Sequence, residues 1–211
     1  MKYKAVIFDR DGTLFNSLPV ILRSFNHGIE PFTAKRPTDA EWFAAFGPDE
    51  QKVMGKFIPA DKKPEAFKRF FEYYQDHFSE IQLYPHVREM LARVKQAVGK
   101  IALFTGGGRT STEFCLREQK ILYYFDVLIT GDEIINPKPH PEGILKALQT
   151  LSVEAHEAMI VGDAGADILA GKDAGVTTVL ARWGGAPPFD LPSRPDYIFD
   201  TVFAFEEFLF R

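Results

Sequence analysis

Tyr3-Lys4-Ala5-Val6-Ile7-Phe8-Asp9-Arg10-Asp11-Gly12-Thr13 opens the chain with a short apolar run that stops at a charged, glycine-containing turn. Such a run, β-prone and closed by acids and glycine, predicts a buried strand. Similar runs recur at 100–104, 126–129, 158–161, 176–180 and 197–199. Helical periodicity fills the spaces between them. From His86 to Val98, the side chains of Val87, Met90, Leu91, Val94 and Val98 share one face, and Gly99 closes the helix. From Pro141 to Leu151, Ile144, Leu145, Leu148 and Leu151 fall together in the same way. Strands alternating with helices of this length predict a doubly wound, Rossmann-like α/β core, its parallel sheet covered on both faces.

The alternation breaks once. Residues 15–84 hold no convincing strand, only amphipathic segments crowded with aromatics such as Trp42, Phe43, Phe46, Phe67, Phe70, Phe71, Tyr73, Tyr74 and Phe78. Packing of a small helical bundle accounts for this stripe better than a cofactor or nucleic-acid platform does. The expected organisation is therefore a core of residues 1–14 and 85–211, interrupted after its first strand by an all-helical insertion over 15–84. Neither internal repeats nor low-complexity runs occur, and the Gly/Pro-rich stretch from Arg182 to Pro195 reads as an ordered surface loop.

Composition narrows the function. With 45% hydrophobic residues, 26% charged residues and a formal charge of -4, the chain resembles ordinary soluble domains and lacks the basic surplus of a nucleic-acid binder. One cysteine, Cys115, excludes an internal disulfide framework and a cysteine-rich zinc site, and suits a reducing cytoplasm. The start of the chain does not read as a signal peptide, and no apolar run is long enough for a membrane span. The sequence carries no signature of an oligomeric state.

In an open parallel sheet, ligands bind beyond the carboxyl ends of the strands. After the first strand come Asp9 and Asp11; after the second, Thr105-Gly106-Gly107-Gly108; after the run at 158–161, Gly162-Asp163 and then Asp167. Lys138, within Asn136-Pro137-Lys138-Pro139-His140, precedes a helix. Four polar clusters far apart in sequence should thus meet at one sheet edge. Four carboxylates brought together repel and raise one another's pKa values, and a single lysine does not balance them. A hard divalent cation is the expected remedy, and oxygen ligands beside a phosphate favour Mg²⁺. Asp9 is placed to attack phosphorus, and Asp11 to donate a proton to the leaving oxygen and then accept one from water. Thr105 with neighbouring backbone N–H groups, including those of Gly106 and Gly107, would hold phosphate oxygens, and Lys138 would counter their charge.

Each cluster taken singly has a plainer reading. Asp9 to Leu14 could start a calcium loop, but Thr13 and Leu14 occupy the positions where that loop needs an oxygen ligand and glycine. The glycines after Thr105 are not a P-loop, because no Gly-Lys-Ser/Thr follows. Asp163 could be a helix cap and Asp167 a surface acid on the next turn. Only the ordered set separates catalysis from these alternatives.

That set resembles the haloacid dehalogenase superfamily, in its phosphoglycolate-phosphatase-like branch with a helical cap after the first motif. Phe8-Asp9-Arg10-Asp11-Gly12-Thr13-Leu14 is similar to its Asp-x-Asp-Gly-Thr-Leu motif, Thr105 to its hydroxyl motif, Pro137-Lys138-Pro139 to its lysine motif, and Gly162-Asp163 with Asp167 to its acidic motif. Asp173-Ala174-Gly175 and Pro195-Asp196-Tyr197 also resemble later family segments. The resemblance implies a phosphatase acting on a small phosphorylated metabolite. It further implies Mg²⁺ held by Asp9, the Asp11 backbone carbonyl and Asp163, with Asp167 in its outer shell or bound through water.

Three positions depart from the family pattern: Arg10 stands where an apolar residue is usual, Gly106 where asparagine is common, and Ala164 where serine is common. A cation at Arg10 either shifts the neighbouring carboxylates or turns away into a salt bridge. The dehalogenases resemble this pattern without an acid at the second aspartate, so Asp11 points to phosphate chemistry. A glycolate carboxylate would call for a cation from the cap, and Arg23, Arg36, Lys52 and Lys56 are candidates, each also readable as a solvated surface charge. Ser17 is placed to line the cap hinge. Two alternatives remain: a phosphosugar mutase that returns phosphate from Asp9 to its product, and a non-catalytic binding protein on the same fold.

Overall fold

In the computed structural model, which describes residues 3–185 and 193–210, a short buried strand, β1 (Ala5–Phe8), organises the molecule. Its four side chains alternate across the sheet, Ala5 and Ile7 entering one core cluster and Val6 and Phe8 the other. The chain then leaves the sheet through β2 (Phe15–Asn16), α1 (Leu18–Ile29), α2 (Asp39–Ala45), α3 (Glu50–Met54) and α4 (Lys63–Asp76), and returns along β3 (Gln82–Leu83). The remainder alternates as α5 (Val87–Ala97), β4 (Lys100–Phe104), α6 (Arg109–Glu118), β5 (Val127–Ile129), α7 (Glu142–Leu151), β6 (Ala158–Gly162), α8 (Gly165–Ala174), β7 (Thr177–Ala181), β8 (Tyr197–Phe199) and α9 (Val202–Leu209).

Six parallel strands lie in the order β5-β4-β1-β6-β7-β8, with Phe8 opposite Leu103 on one side and Val161 on the other. The strand order reverses between β1 and β6, and such a switch point leaves a crevice at the carboxyl ends of those two strands. This is the doubly wound α/β architecture expected from the sequence. The Gly/Pro-rich loop falls largely on 186–192, outside the described residues.

The insertion differs from its purely helical reading in one respect. Phe15–Asn16 and Gln82–Leu83 form an antiparallel pair, a two-strand hinge where the chain leaves and re-enters the core. Two residues per strand are too few for periodicity to register. Leu145 is a second difference: it is 47% exposed, whereas Ile144, Leu148 and Leu151 are buried as expected. Helix α7 covers the sheet with Ile144, Ala147, Leu148 and Leu151 and leaves Leu145 in solvent.

Local chemistry starts the helices of the insertion. Thr38 and Glu41 form a reciprocal capping box at α2, the Glu41 N–H donating to Thr38 Oγ1 at 3.2 Å and the Thr38 N–H to Glu41 Oε2 at 2.7 Å. Asp49 caps α3 by accepting from the N–H groups of Gln51 and Lys52, both at 3.1 Å. Aromatic packing then closes the bundle. Trp42 stacks on Phe25 at 4.9 Å between ring centroids and meets Phe57 edge-on at 4.6 Å, while Phe25 also contacts Phe70 at 4.8 Å. This layer and one face of the sheet share a single hydrophobic cluster, and Phe71, Tyr74 and Phe78 of the insertion meet Phe114 of α6 at 5.6, 6.2 and 5.1 Å between ring centroids.

Trp42 is fully buried, and its indole N–H donates to Asn26 Oδ1 at 3.2 Å. Trp42→Ala should therefore lower the unfolding free energy by about 3–5 kcal/mol, measured by urea denaturation. A loss below ~1 kcal/mol would show that the helical layer holds without this anchor.

Candidate active site

Every residue singled out from the sequence as catalytic, phosphate-binding or metal-ligating lines one cavity of about 290 Å³ at the strand switch point. Asp9 follows β1 directly, and its N–H donates to the Val161 carbonyl at 2.9 Å. Asp163 follows β6, and Thr13 Oγ1 donates to its Oδ1 at 3.1 Å. Asp167 sits in the first turn of α8 and accepts the Ala164 N–H at 3.1 Å. Lys138 enters from the segment before α7. Its ammonium lies 2.5 Å from Asp9 Oδ1 and 2.6 Å from Asp167 Oδ1, above the Phe104 ring. Thr105, at the end of β4, donates its N–H to the Ile129 carbonyl and accepts the Gly107 N–H on Oγ1 at 3.1 Å. That arrangement leaves the threonine hydroxyl proton available to an incoming oxygen.

Electrostatics explain why these acids need a cation. Carboxylate oxygens of Asp9, Asp163 and Asp167 lie within 4.8 Å of one another. With no metal present, burial pushes the Asp9 carboxyl up to about 7; Lys138 opposes this, and the charges of Asp167 and Asp11 add to it. Asp163 is raised well above the usual carboxylate range by burial and then by Asp9 and Asp167. Burial disfavours the Lys138 ammonium, but the two aspartates outweigh that and raise its pKa. Buried, oxygen-only and short of positive charge, this donor set fits a hard divalent cation. The Asp11 side chain is not part of the trio.

Asp11 is instead held by Arg10. The guanidinium, 3% exposed, places Nε at 2.9 Å and Nη2 at 2.7 Å from Asp11 Oδ2, while Ser17 Oγ donates to Oδ1 at 2.5 Å. Arg10 Nη1 continues to Thr112 Oγ1 at 2.7 Å on α6. Arg10 does not turn away from the site: its salt bridge is with the neighbouring carboxylate itself. Both Asp11 oxygens accept hydrogen bonds here, so delivery of a proton from Asp11 requires it to turn away from Arg10. Ser17 lies at the hinge as expected and contacts Asp11 directly.

A sequence model of the family described as Haloacid dehalogenase-like hydrolase matches residues 6–181. The chain belongs to that family. Pyrophosphatase PpaX of Bacillus mycoides (strain KBAB4) is 32% identical over 204 residues, 96% of this chain and 94% of that protein. A structure described as a predicted phosphoglycolate phosphatase from Haemophilus somnus 129pt superposes with a TM-score of 0.83 at 24% identity, covering 99% of this chain and 97% of that one. CbbY from Rhodobacter sphaeroides, in complex with phosphate, gives a TM-score of 0.81 at 21% identity over 94% of each chain. These two structures share the fold. Haloacid dehalogenase-like hydrolases generally use a divalent metal, in keeping with the acidic trio of this member.

The departure at Gly106 has a steric basis, and Arg10 constrains the glycine beside it. A Cβ on Gly106 would stand 2.7 Å from the Gly47 carbonyl oxygen of the insertion, so no side chain fits between insertion and core there. A Cβ on Gly107 would stand 2.4 Å from Arg10 Nη2, so the guanidinium fills the space a side chain would take. The structure does not bring the proposed cap cations to the cavity. Arg23 pairs with Glu80 at 2.5 Å, Lys52 with Asp49 at 2.9 Å, Lys56 donates to the Ala45 carbonyl at 2.7 Å, and Arg36 is exposed.

Sequence reading missed Glu50. It lies in the first turn of α3, yet it is buried and reaches across to the core, accepting the Gly108 N–H at 2.8 Å and the Ser111 hydroxyl at 2.5 Å. Burial raises its pKa, and Arg10 opposes that rise. In sequence Glu50 looks like any helix-start acid, and only a contact spanning 58 residues reveals it.

Arg10→Met leaves Glu50 buried without its cation and Asp11 with Ser17 alone, so stability at neutral pH should fall by about 3–5 kcal/mol. A folded-state pKa raised above the unfolded one gives stability that is complete below the unfolded pKa and lost as pH rises through the folded value. The deficit of Arg10→Met should therefore shrink on acidification, and Glu50→Gln in the same chain should recover part of it at neutral pH. Additive losses in the double variant would disprove the coupling. The same sign applies to Asp9 without metal: its contribution is complete below its unfolded value of 3.8 and lost as pH rises through about 7. A divalent cation at ~100 times its Kd should stabilise by about 2–3 kcal/mol at pH ~8 and by much less at pH ~5.5, read as the shift in Tm. Equal shifts would mean that Asp9 keeps its charge throughout.

Proposed function

We propose that this protein is a Mg²⁺-dependent phosphatase that hydrolyses a small phosphomonoester through an aspartyl-phosphate intermediate. The observation that carries the reading is the pairing of buried Asp9 with Lys138 beside a second, separately held carboxylate, Asp11. Asp9 attacks phosphorus, the bond to the leaving oxygen breaks, and Asp11, protonated and turned from Arg10, gives that oxygen its proton. Water then attacks phosphorus, Asp11 takes its proton back, the Asp9–phosphorus bond breaks and inorganic phosphate leaves. The Thr105 hydroxyl and the backbone N–H groups beside it hold the non-bridging oxygens, and Lys138 offsets their charge. Magnesium, held by Asp9, the Asp11 carbonyl and Asp163, with Asp167 behind, would screen the carboxylates from the phosphoryl group.

In this reading residues 15–84 act as a cap over a core of 1–14 and 85–211, excluding water when closed. The name of the Bacillus relative and those of the structural neighbours support phosphate chemistry and leave the substrate open. Phosphoglycolate, suggested by the family resemblance, lacks a partner for its carboxylate, since the four cap cations lie elsewhere. The apolar cavity wall supports hydrolysis over a mutase, which would have to hold sugar hydroxyls. The lone buried cysteine, Cys115, supports a cytoplasmic setting.

The purified protein should release inorganic phosphate from an aryl phosphate only with Mg²⁺, and Asp9→Asn should lower kcat by at least ~10³-fold. Asp11→Asn should reduce kcat more for poor leaving groups than for aryl oxides, which depart without a proton. Wild-type rates in Asp9→Asn would remove the assigned nucleophile, and isomerised sugar phosphate without free phosphate would replace hydrolysis by phosphoryl return.

A further inference from the structure

Away from Asp9 the cavity runs into the helical layer, where Leu18, Ile21, Phe25, Phe46, Val53 and Phe70 form its wall. Among the described lining residues only Lys138 and Arg10 are cationic, and both are engaged. Lys138 is bound between Asp9 and Asp167, at the phosphoryl end. Arg10 is spent on Asp11 and Thr112 and is 2% exposed. The stretch at 186–192 contains no lysine, arginine or histidine. Beside the apolar wall stand two carboxylates, Asp11 and Glu50, against the single guanidinium. The buried Tyr74 hydroxyl there faces the Cys115 thiol.

An anionic group placed here would lose its water among phenylalanines and find no free cation among the described lining residues. An apolar group would gain from the same transfer. A benzene molecule occupies an apolar cavity of about 150 Å³, so the 290 Å³ here accommodates a phosphoryl group with one ring or a branched chain of like bulk.

We propose that the group esterified to phosphate in the substrate is uncharged and apolar, about the size of one aromatic ring, which makes the substrate class an arylmethyl or branched-alkyl monophosphate. This rests on the phosphatase reading above and sharpens it. It also separates this chain from what the names of its relatives suggest, because the leaving groups of pyrophosphate and phosphoglycolate are both anionic.

The test compares kcat/KM of the full chain with Mg²⁺ on methyl phosphate, 3-methylbutyl phosphate, benzyl phosphate, phosphoglycolate and pyrophosphate, following released phosphate. Benzyl and 3-methylbutyl phosphate should exceed methyl phosphate by at least ~10-fold and the two anionic substrates by at least ~100-fold. Phe46→Ala should raise KM for benzyl phosphate by a larger factor than KM for methyl phosphate. Phe46→Lys, which adds a cation to the half-buried edge of the wall, should move the phosphoglycolate-to-benzyl ratio up by ~10-fold or more. Should either lysine or alanine variant misfold, the wild-type ranking alone decides. Phosphate release from all five, with phosphoglycolate or pyrophosphate equal to or better than benzyl phosphate, overturns the inference and leaves the phosphatase intact. No release from any of the five, or from an aryl phosphate, overturns both.

Discussion

The structure depends on how it manages buried negative charge at the switch point of its sheet. Three aspartates converge there because β1 and β6 are neighbours and α8 starts immediately beyond β6. A convergence of this kind is unfavourable in isolation, and the fold offsets it with one buried lysine placed between two of the three. What remains uncompensated is the driving force for binding a cation and for the raised carboxyl pKa values. Stability is given up at the place where chemistry needs charge.

A second charge system lies one residue further along. Arg10 carries a cation into a buried position and is tolerated because Asp11, Thr112 and the nearby Glu50 surround it. This network spans the two layers of the molecule. Asp11 and Thr112 belong to the α/β core, whereas Glu50 belongs to the helical insertion and grips the core at Gly108 and Ser111. The contact that seats the insertion over the site is thereby electrostatically tied to the residue that holds Asp11. Loss of the insertion's contact would leave Arg10 with one carboxylate partner, so the position of the insertion and the charge beside Asp11 are coupled by construction.

The fold and the polar end of the site were legible in the sequence for a shared reason. Buried parallel strands are continuous apolar runs, and the residues that end them are polar, so the order of strand ends maps directly onto one edge of the sheet. Asp9, Thr105, Lys138 and Asp163 could therefore be placed together before any geometry was known. Other features have no such one-dimensional signature. The β2–β3 hinge is shorter than any period, Leu145 sits one position from a buried face, and Glu50 reads as a helix-start acid until the chain is folded. Arg10 was visible as an anomaly, but its partner Thr112 lies about a hundred residues away.

The aromatic stripe shows how a correct reading can be incomplete. Phe25, Phe46 and Phe70 do form the core of a small bundle, as their spacing indicates, and Phe25 stacks within it. The same residues also face the cavity above Asp9. In an insertion this small, the side chains that hold the helices together also line the cavity, since no second layer separates core from surface. The packing that gives the insertion its stability therefore also shapes the cavity. A change of one phenylalanine alters the bundle and the pocket at once.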